Sequence, residues 1–571
     1  MKLRFDPKDL EELTRNVKQI QNDVLEEILK ANANTEYLGR FLHGSIDKEL
    51  FKKNVPVVSY DDVKPYLDRV ANGEPSDIIS GEAITTFIRS TGTSGGKQKI
   101  YPANNKYIED LAFIFALRSF IVSKHIDYDV EQGKKLAFHF TIPHYNTPSG
   151  LPVVPALTCL LMSDYFKMRP TNFHTSPDEV TLCQIYKENM YCHLLCGLAR
   201  RDEVVSIICS FACALVGAII FFEKNWRELC GNIRSGNVSE WITDLACRDS
   251  VSIILGGPNP ELADLIEHEC SHNSWEGIIT RIWPKAKFIQ TVLTGSMAQY
   301  VPILEFYSNN LPLISPSYMS SEALFGVNTN PLCKPQDVSY TFLPNLSYFE
   351  FLSVDEGRNE EIFDLVDVKL GCFYEPLVTT YSGLHRYKMG DVLQVTGFYN
   401  SAPQFKFVRR KNMVISVQLE ATTEEDILKA ATQATLVLES SNLMLMGFTC
   451  WSDLSTLPGH YVMYWELKSK YINGLVELDN KVLVECCCVV EESLNILYRM
   501  YRCKSRSIGA LEIKVVQQGT FGSLMDFFIS RGASINQYKT PLCINSSKAL
   551  EVLENKVFAR FFSDKYPSCD S

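Results

Sequence analysis

The chain has 571 residues, too many for one ordinary hydrophobic core, so two or more domains are expected. Hydrophobic residues make up 46% and charged residues 22%, which excludes a disordered chain. The formal net charge is -11 with no block of consecutive Lys and Arg, which argues against a nucleic-acid partner, because phosphate binding needs a basic face.

The opening MKLRFDPKDLEELTRNVKQIQ has no apolar core for a secretory signal. The 18 cysteines are scattered and form no paired CxxC knuckles, so they read as reduced, mostly buried thiols of a cytoplasmic protein. From residue 8 to 50, apolar residues recur at helical spacing among many charges: Leu10, Leu13, Val17, Ile20, Val24, Leu25 and Ile28. Short apolar runs then alternate with helical segments to residue 400: Ile84 to Ile88, Leu136 to Thr141, Val251 to Leu255, Phe288 to Leu293, Leu311 to Ile314 and Tyr348 to Leu352. This is an α/β pattern, punctuated by turns such as Gly256 to Pro260. Val204 to Phe222 carries no charge and is long enough to span a bilayer, but one span there would strand the Gly92 loop and the downstream Glu322 and Asp391 motifs on opposite sides, so a helix or strand pair buried in a large domain is expected. Beyond Phe405 to Val408 and Met413 to Val417, Thr422 and Glu425 form the pattern of a capping box that opens a helix. His460 to Trp465 and Leu511 to Val516 read as strands of a separate α+β domain. The expected division is 1–415 and 416–571.

The sharpest motif is Arg89 to Lys99, RSTGTSGGKQK, directly after an apolar run. Glycines let backbone N–H groups approach an anion, and the hydroxyls of Ser90, Thr91 and Thr93 add donors, so the loop suits a polyphosphate. The Walker A spacing is absent. Taken alone such a loop is more often a plain turn. Its company is Tyr318-Met319-Ser320-Ser321-Glu322, an aromatic able to face a base beside a carboxylate able to hold Mg²⁺. Gly383 to Asp391 places an acid after a glycine turn, where it can take both ribose hydroxyls. Phe407 to Asn412 lies at the domain junction, and Gln537 to Pro541 presents a lone Lys539.

In this order the set resembles the adenylate-forming superfamily. Further segments, Thr175 to Glu179, Tyr191 to Gly197, Leu293 to Met297 and Pro344 to Phe351, resemble the plant Gretchen Hagen family of acyl acid amido synthetases over essentially the whole chain. The segments FKKNVP, KPYLDR, NSWEGI and SLMDFFIS are similar to its benzoate- and isochorismate-conjugating branch. The resemblance implies a firefly-luciferase-like fold. Its large N-terminal domain would have β-sheets, a β-barrel and flanking helices, and its smaller α+β C-terminal domain would be mobile. It implies ATP and Mg²⁺, an acyl acid and an amino acid as substrates, and a monomer working without membrane or nucleic acid. Carried over residue by residue, Ser90, Thr91 and Thr93 meet the phosphates. Tyr318 and Tyr340 meet the adenine, Glu322 the nucleotide and metal, and Asp391 the ribose. Arg118 meets the acyl carboxylate with Phe115 and Leu117 beside it, and Lys539 is the catalytic cation. On its own terms Arg118 is equally readable as a solvated helix residue.

Met319 stands where the family has Gly, His385 where Tyr is usual, Leu542 where Arg follows, and Thr91 where a second Ser is common. A position needing positive φ would be strained by Met319, which leaves open a catalytically impaired, acid- and nucleotide-binding homologue. His268-Glu269-Cys270-Ser271-His272 is a literal HExxH, the zincin signature, but lacks the longer continuation, so chance on an exposed helix is the expectation.

Overall fold

The computed structural model describes residues 7–90, 98–127, 133–141, 143–169, 172–354, 361–411, 414–471, 478–535 and 537–569. The amphipathic N-terminal stretch forms the helices Pro7–Arg15 and Val17–Asn32. The second buries Val17, Val24, Leu25, Ile28 and Leu29 on one stripe. It also buries Gln21, whose amide donates to the carbonyls of Pro344 and Ser347 at 2.7 and 2.8 Å and accepts from the Phe349 N–H at 2.8 Å. Those three bonds dock the helix onto the large sheet.

Lys134–Phe138, Val204–Phe211, Phe288–Val292 and Leu313–Ile314 build an all-parallel four-stranded sheet. The uncharged run from Val204 is one of its inner strands followed by the helix Ala212–Ser235. A strand covered on both faces reads as a continuous apolar run, which is why it imitates a membrane span. Among the described residues no helix is long and apolar enough to cross a membrane. Thr86–Arg89 lies in a second four-stranded sheet, antiparallel to Ile100–Ala103 and parallel to Pro152–Val154.

Between Ser317 and Arg410 the strands join in a nine-stranded antiparallel sheet. Its path runs from Ile362–Asp364 to Ser317–Met319, with no hydrogen-bonded closure between these edges among the described residues. The expected barrel corresponds to this open sheet. Residues after 414 have their own four-stranded sheet, Leu443–Asp453, His460–Ser469, Glu512–Val516 and Val557–Phe562. The helices Glu424–Leu438 and Asn480–Ser493 pack in its larger core. A large α/β part with sheets and a smaller C-terminal domain are therefore present, as expected.

Three local expectations are corrected. Val251 to Leu255 is the end of the helix Leu245–Leu255, not a strand. Asp244 caps its start by accepting from Cys247 N–H, and Gly256 ends it at φ 65°. The capping box is Thr423 with Asp426, one residue beyond Thr422 and Glu425. Thr422 is instead paired with Ile415 in a short hairpin and accepts from the Tyr461 hydroxyl at 2.9 Å. Finally, Cys503 and Cys569 form a disulfide, while the other cysteines are free thiols and mostly buried.

Candidate functional site at the carboxyl ends of the parallel strands

Open α/β sheets place ligands beyond the carboxyl ends of their parallel strands. Here Phe288–Val292 leads into Leu293 to Met297, and Leu313–Ile314 leads into Tyr318 to Glu322. Gly295 takes φ 61°, and a Cβ on it would meet the Phe407 ring at 3.0 Å, so this glycine lets Phe407 close against the site. The Tyr318 ring stacks on Phe325 at 4.5 Å and Tyr340 at 5.8 Å, with Phe407 at 6.5 Å. Tyr340 is buried, its hydroxyl hydrogen-bonded to Ser315 Oγ at 2.8 Å and Thr294 Oγ1 at 3.3 Å.

Asp391 opens the strand Asp391–Tyr399 and pairs in register with Arg410 at the end of Ala402–Arg410. The Tyr318 hydroxyl donates to Asp391 Oδ2 at 2.5 Å, and Arg410 Nε stands 3.2 Å from Asp391 Oδ1. That second contact is not a hydrogen bond: Oδ1 is buried and without a hydrogen-bond partner. A buried carboxylate oxygen that is ion-paired but not hydrogen-bonded keeps acceptor capacity for a ligand. The Asp391 charge raises the Arg410 guanidinium, and burial followed by the same carboxylate pushes the Tyr318 phenol well up.

The phosphate-loop expectation falls mostly outside the described residues, since Thr91 and Thr93 lie between 90 and 98. The base of the loop is visible. Ser90 N–H donates to the Lys99 carbonyl at 2.8 Å, and Ser90 Oγ accepts from Lys99 N–H at 3.0 Å. Ser321 Oγ donates to the Arg89 carbonyl at 3.4 Å, which brings this base against the Glu322 turn. Glu322 is partly exposed and contributes, after burial, to raising the phenol of Tyr101, whose hydroxyl lies 3.1 Å from that of Tyr387.

The C-terminal domain reaches the same place. Tyr538 is fully buried in the core around the parallel sheet, and its carbonyl accepts from Cys213 Sγ–H at 3.2 Å. Thr540 Oγ1 pairs with the Tyr300 hydroxyl at 2.6 Å, and Gln98 Nε2 donates to the Gly532 carbonyl at 2.5 Å. Between these anchors Lys539 keeps solvent contact, its ammonium 5.1 Å from the ring of Phe211 at the carboxyl end of Val204–Phe211. Desolvation first and the charge of Arg410 next lower its pKa, opposed by Asp391 and Glu424. Burial raises the carboxyl of Glu424, against the pull of Arg410 and Lys539. Arg410, named only as part of a junction motif, and Glu424, taken only as helix-opening residue, are thus members of the cluster.

Arg118 lies apart, on the helix Asn105–His125 with its guanidinium 3.5 Å from the Phe115 ring centroid. Burial pulls its pKa down to about 9, and its buried Nε has no hydrogen-bond partner. It is not the solvated helix arginine the sequence also allowed. Leu117 is fully enclosed in the core. His139, which feels the Arg118 charge, and its neighbours His174 and His193 are held neutral by burial, His174 at about 3 and His193 at about 4.

The worrying departures have ordinary explanations. Met319 sits in the strand Ser317–Met319 opposite Leu324 and is not among the residues with positive φ. The strain expected of Met319 is absent. His385 is a core residue stacked 5.7 Å from Tyr37, and Leu542 packs in the C-terminal core. Neither touches the cluster.

The fold matches a solved 2-hydroxyisobutyryl-CoA ligase in its postadenylation state with a TM-score of 0.51 at 10% identity, covering 94% of this chain and 91% of that one. Residues 7–313, 340–410 and 425–548 match the GH3 family N-terminal, central and C-terminal domains. The chain is 58% identical to the Arabidopsis thaliana 4-substituted benzoates-glutamate ligase GH3.12 over 97% of its length and 98% of that protein. The solved GH3.15 acyl acid amido synthetase superposes with a TM-score of 0.93 at 49% identity, each chain covered at 100%. The chain belongs to the GH3 family, the Gretchen Hagen family of the sequence reading. Its relatives make it an acyl acid amido synthetase, a ligase that forms carbon–nitrogen bonds between an acid and an amino acid.

Proposed function

We propose that the enzyme uses ATP and Mg²⁺ to activate a benzoate-like acid and passes the acyl group to glutamate, working as a cytoplasmic monomer. The likeness to the benzoates-glutamate ligase motivates both substrates. The observation that carries the nucleotide half is the orphaned Oδ1 of Asp391, beside a cation from each domain. A ribose hydroxyl would fill that acceptor. Tyr318 and Tyr340 form the aromatic wall for adenine, and the hydroxyls of Ser90, Thr91 and Thr93 would serve the phosphates. Mg²⁺ on Glu322 would neutralise phosphate charge. An acyl carboxylate would satisfy Arg118, whose guanidinium is desolvated and has an empty donor.

In the first half-reaction an acid oxygen attacks the α-phosphorus, the bond to the pyrophosphate oxygen breaks, and Lys539 meets the charge that develops. In the second the amine attacks the acyl carbon, AMP leaves with the bridging oxygen, and the amine gives up a proton. The large part is read as 1–415 and the domain carrying Lys539 as 416–571, moving between the two steps. Asp391→Ala tests the assignment. Hydrogen bonds to a charged group contribute about 1.5–3 kcal/mol, so kcat/KM for ATP should fall roughly ten- to hundredfold. Normal ATP use by a folded variant would remove Asp391 from the ribose.

A further inference from the structure

His268, Glu269 and His272 form a literal HExxH that lacks the longer protease continuation, and both histidines are exposed at the end of a helix. Their geometry nevertheless makes a chelate. The helix Pro260–Cys270 ends at Cys270, and the next turn carries His272 back over His268, the two rings 5.3 Å apart and at 88°. One donor atom from each of His268, Glu269 and His272 lies within 4.8 Å of the others. Imidazole nitrogens four residues apart across a helix end, with a carboxylate between, are the donor set of borderline divalent ions such as zinc.

The scaffold under them is fixed. Ser271 N–H donates to the Glu267 carbonyl at 3.0 Å, and the buried Trp275 donates its indole N–H to the Cys270 carbonyl at 3.1 Å. Arg281 Nε donates to Glu269 Oε2 at 3.0 Å, which leaves Oε1 for a metal and orients the carboxylate, as outer partners of metal ligands do. Arg281 also binds the Ser274 carbonyl at 3.3 Å, and Ser274 Oγ donates to the Lys470 carbonyl of the C-terminal domain at 3.0 Å.

We propose that His268, His272 and Glu269 Oε1 bind one zinc-class divalent ion at the surface, next to a contact between the domains. Exposed imidazoles exchange the ion freely, so the site would fill and empty with the free metal level. The test is a zinc titration of the full chain, without a polyhistidine tag and with thiols reduced, against a chromophoric chelator. Cobalt spectra separate nitrogen and oxygen ligation from thiolate ligation. The wild type should take one equivalent with no thiolate charge-transfer band. His268→Gln, His272→Gln and Glu269→Gln should each weaken binding by at least the roughly 10- to 100-fold that loss of an outer partner costs. Zinc should also raise the melting temperature of the wild type and not of His268→Gln/His272→Gln, since a ligand that binds only the folded state stabilises it. Equal zinc binding by wild type and the double histidine variant, or a cobalt spectrum dominated by thiolate, would overturn the proposal.

Discussion

Removing the Lys539 ammonium isolates the step in which the two domains act together. The side chain stands over the end of a parallel strand, 5.1 Å from the Phe211 ring, with Asp391, Arg410 and Glu424 within electrostatic reach. Its anchors, Tyr538 and Thr540, are already seated in the large domain, so the cation is held before the reaction and needs no reorganisation during it. Loss of one such preorganised donor lowers kcat by about 10²- to 10³-fold, roughly 2.7–4 kcal/mol of transition-state stabilisation. The KM for ATP should stay near normal, because the ground-state contacts belong to the large domain. The assay is acid-dependent pyrophosphate release by Lys539→Ala, followed on the same preparation by amide formation from a chemically made acyl-adenylate. The second half-reaction should survive, since amine attack needs no phosphate activation. Lowered burial-driven pKa has a pH consequence as well: the alkaline limb of adenylation should fall below the range of a free lysine, about 10.4, and Lys539→Arg should move it upward. Wild-type adenylation by the alanine variant, or no rescue by the adenylate, would refute the reasoning.

Arg386→Ala should destabilise the large part by about 3–5 kcal/mol in urea or thermal unfolding, because it leaves Glu350 buried and unpaired. Arg386 now holds both Glu350 oxygens at 2.9 Å and the carbonyls of Lys52 and Val55. Arg386→Met with Glu350→Leu should recover most of the loss. Acid should unfold the protein early. Burial holds His174 at about 3 and His193 and His385 at about 4, below the 6.5 of a free imidazole. A depressed histidine takes up its proton on unfolding, so this stability is complete above pH 6.5 and is lost as pH falls toward 4. At pH 5.5 each contributes a loss on the order of 1 kcal/mol, partly offset by Asp110, raised by burial to about 6. Equilibrium melts at pH 7.5 and 5.5 check this, and His193→Gln should remove its share of the slope.

The α/β character was legible because apolar runs of strand length alternate with amphipathic helices, and the helix Val17–Asn32 follows its spacing residue by residue. Val251 to Leu255 was misread because run length alone cannot separate a buried helix from a strand; the caps at Asp244 and Gly256 decided it. The site was legible as motifs and illegible as contacts. Tyr318, Asp391 and Lys539 stood out, but nothing in their spacing shows that Tyr318 donates to Asp391, or that Arg410 opposes it across two strands. Glu424 was hidden because the start of a helix is where acidic residues are ordinarily found. The concern over Met319 came from a departure in residue type, whereas backbone strain depends on φ, and its strand conformation suits Met.

The central claim is that one chain joins an acid to an amino acid through an acyl-adenylate. The direct measurement is acid-dependent exchange of labelled pyrophosphate into ATP, with mass-spectrometric detection of the conjugate when an amino acid is added. With a 4-substituted benzoate and glutamate the account predicts exchange that requires the acid, then one AMP and one pyrophosphate released per amide formed. Binding of acid and ATP with no exchange across aromatic and aliphatic acids, or cleavage of ATP to ADP and phosphate, would contradict it.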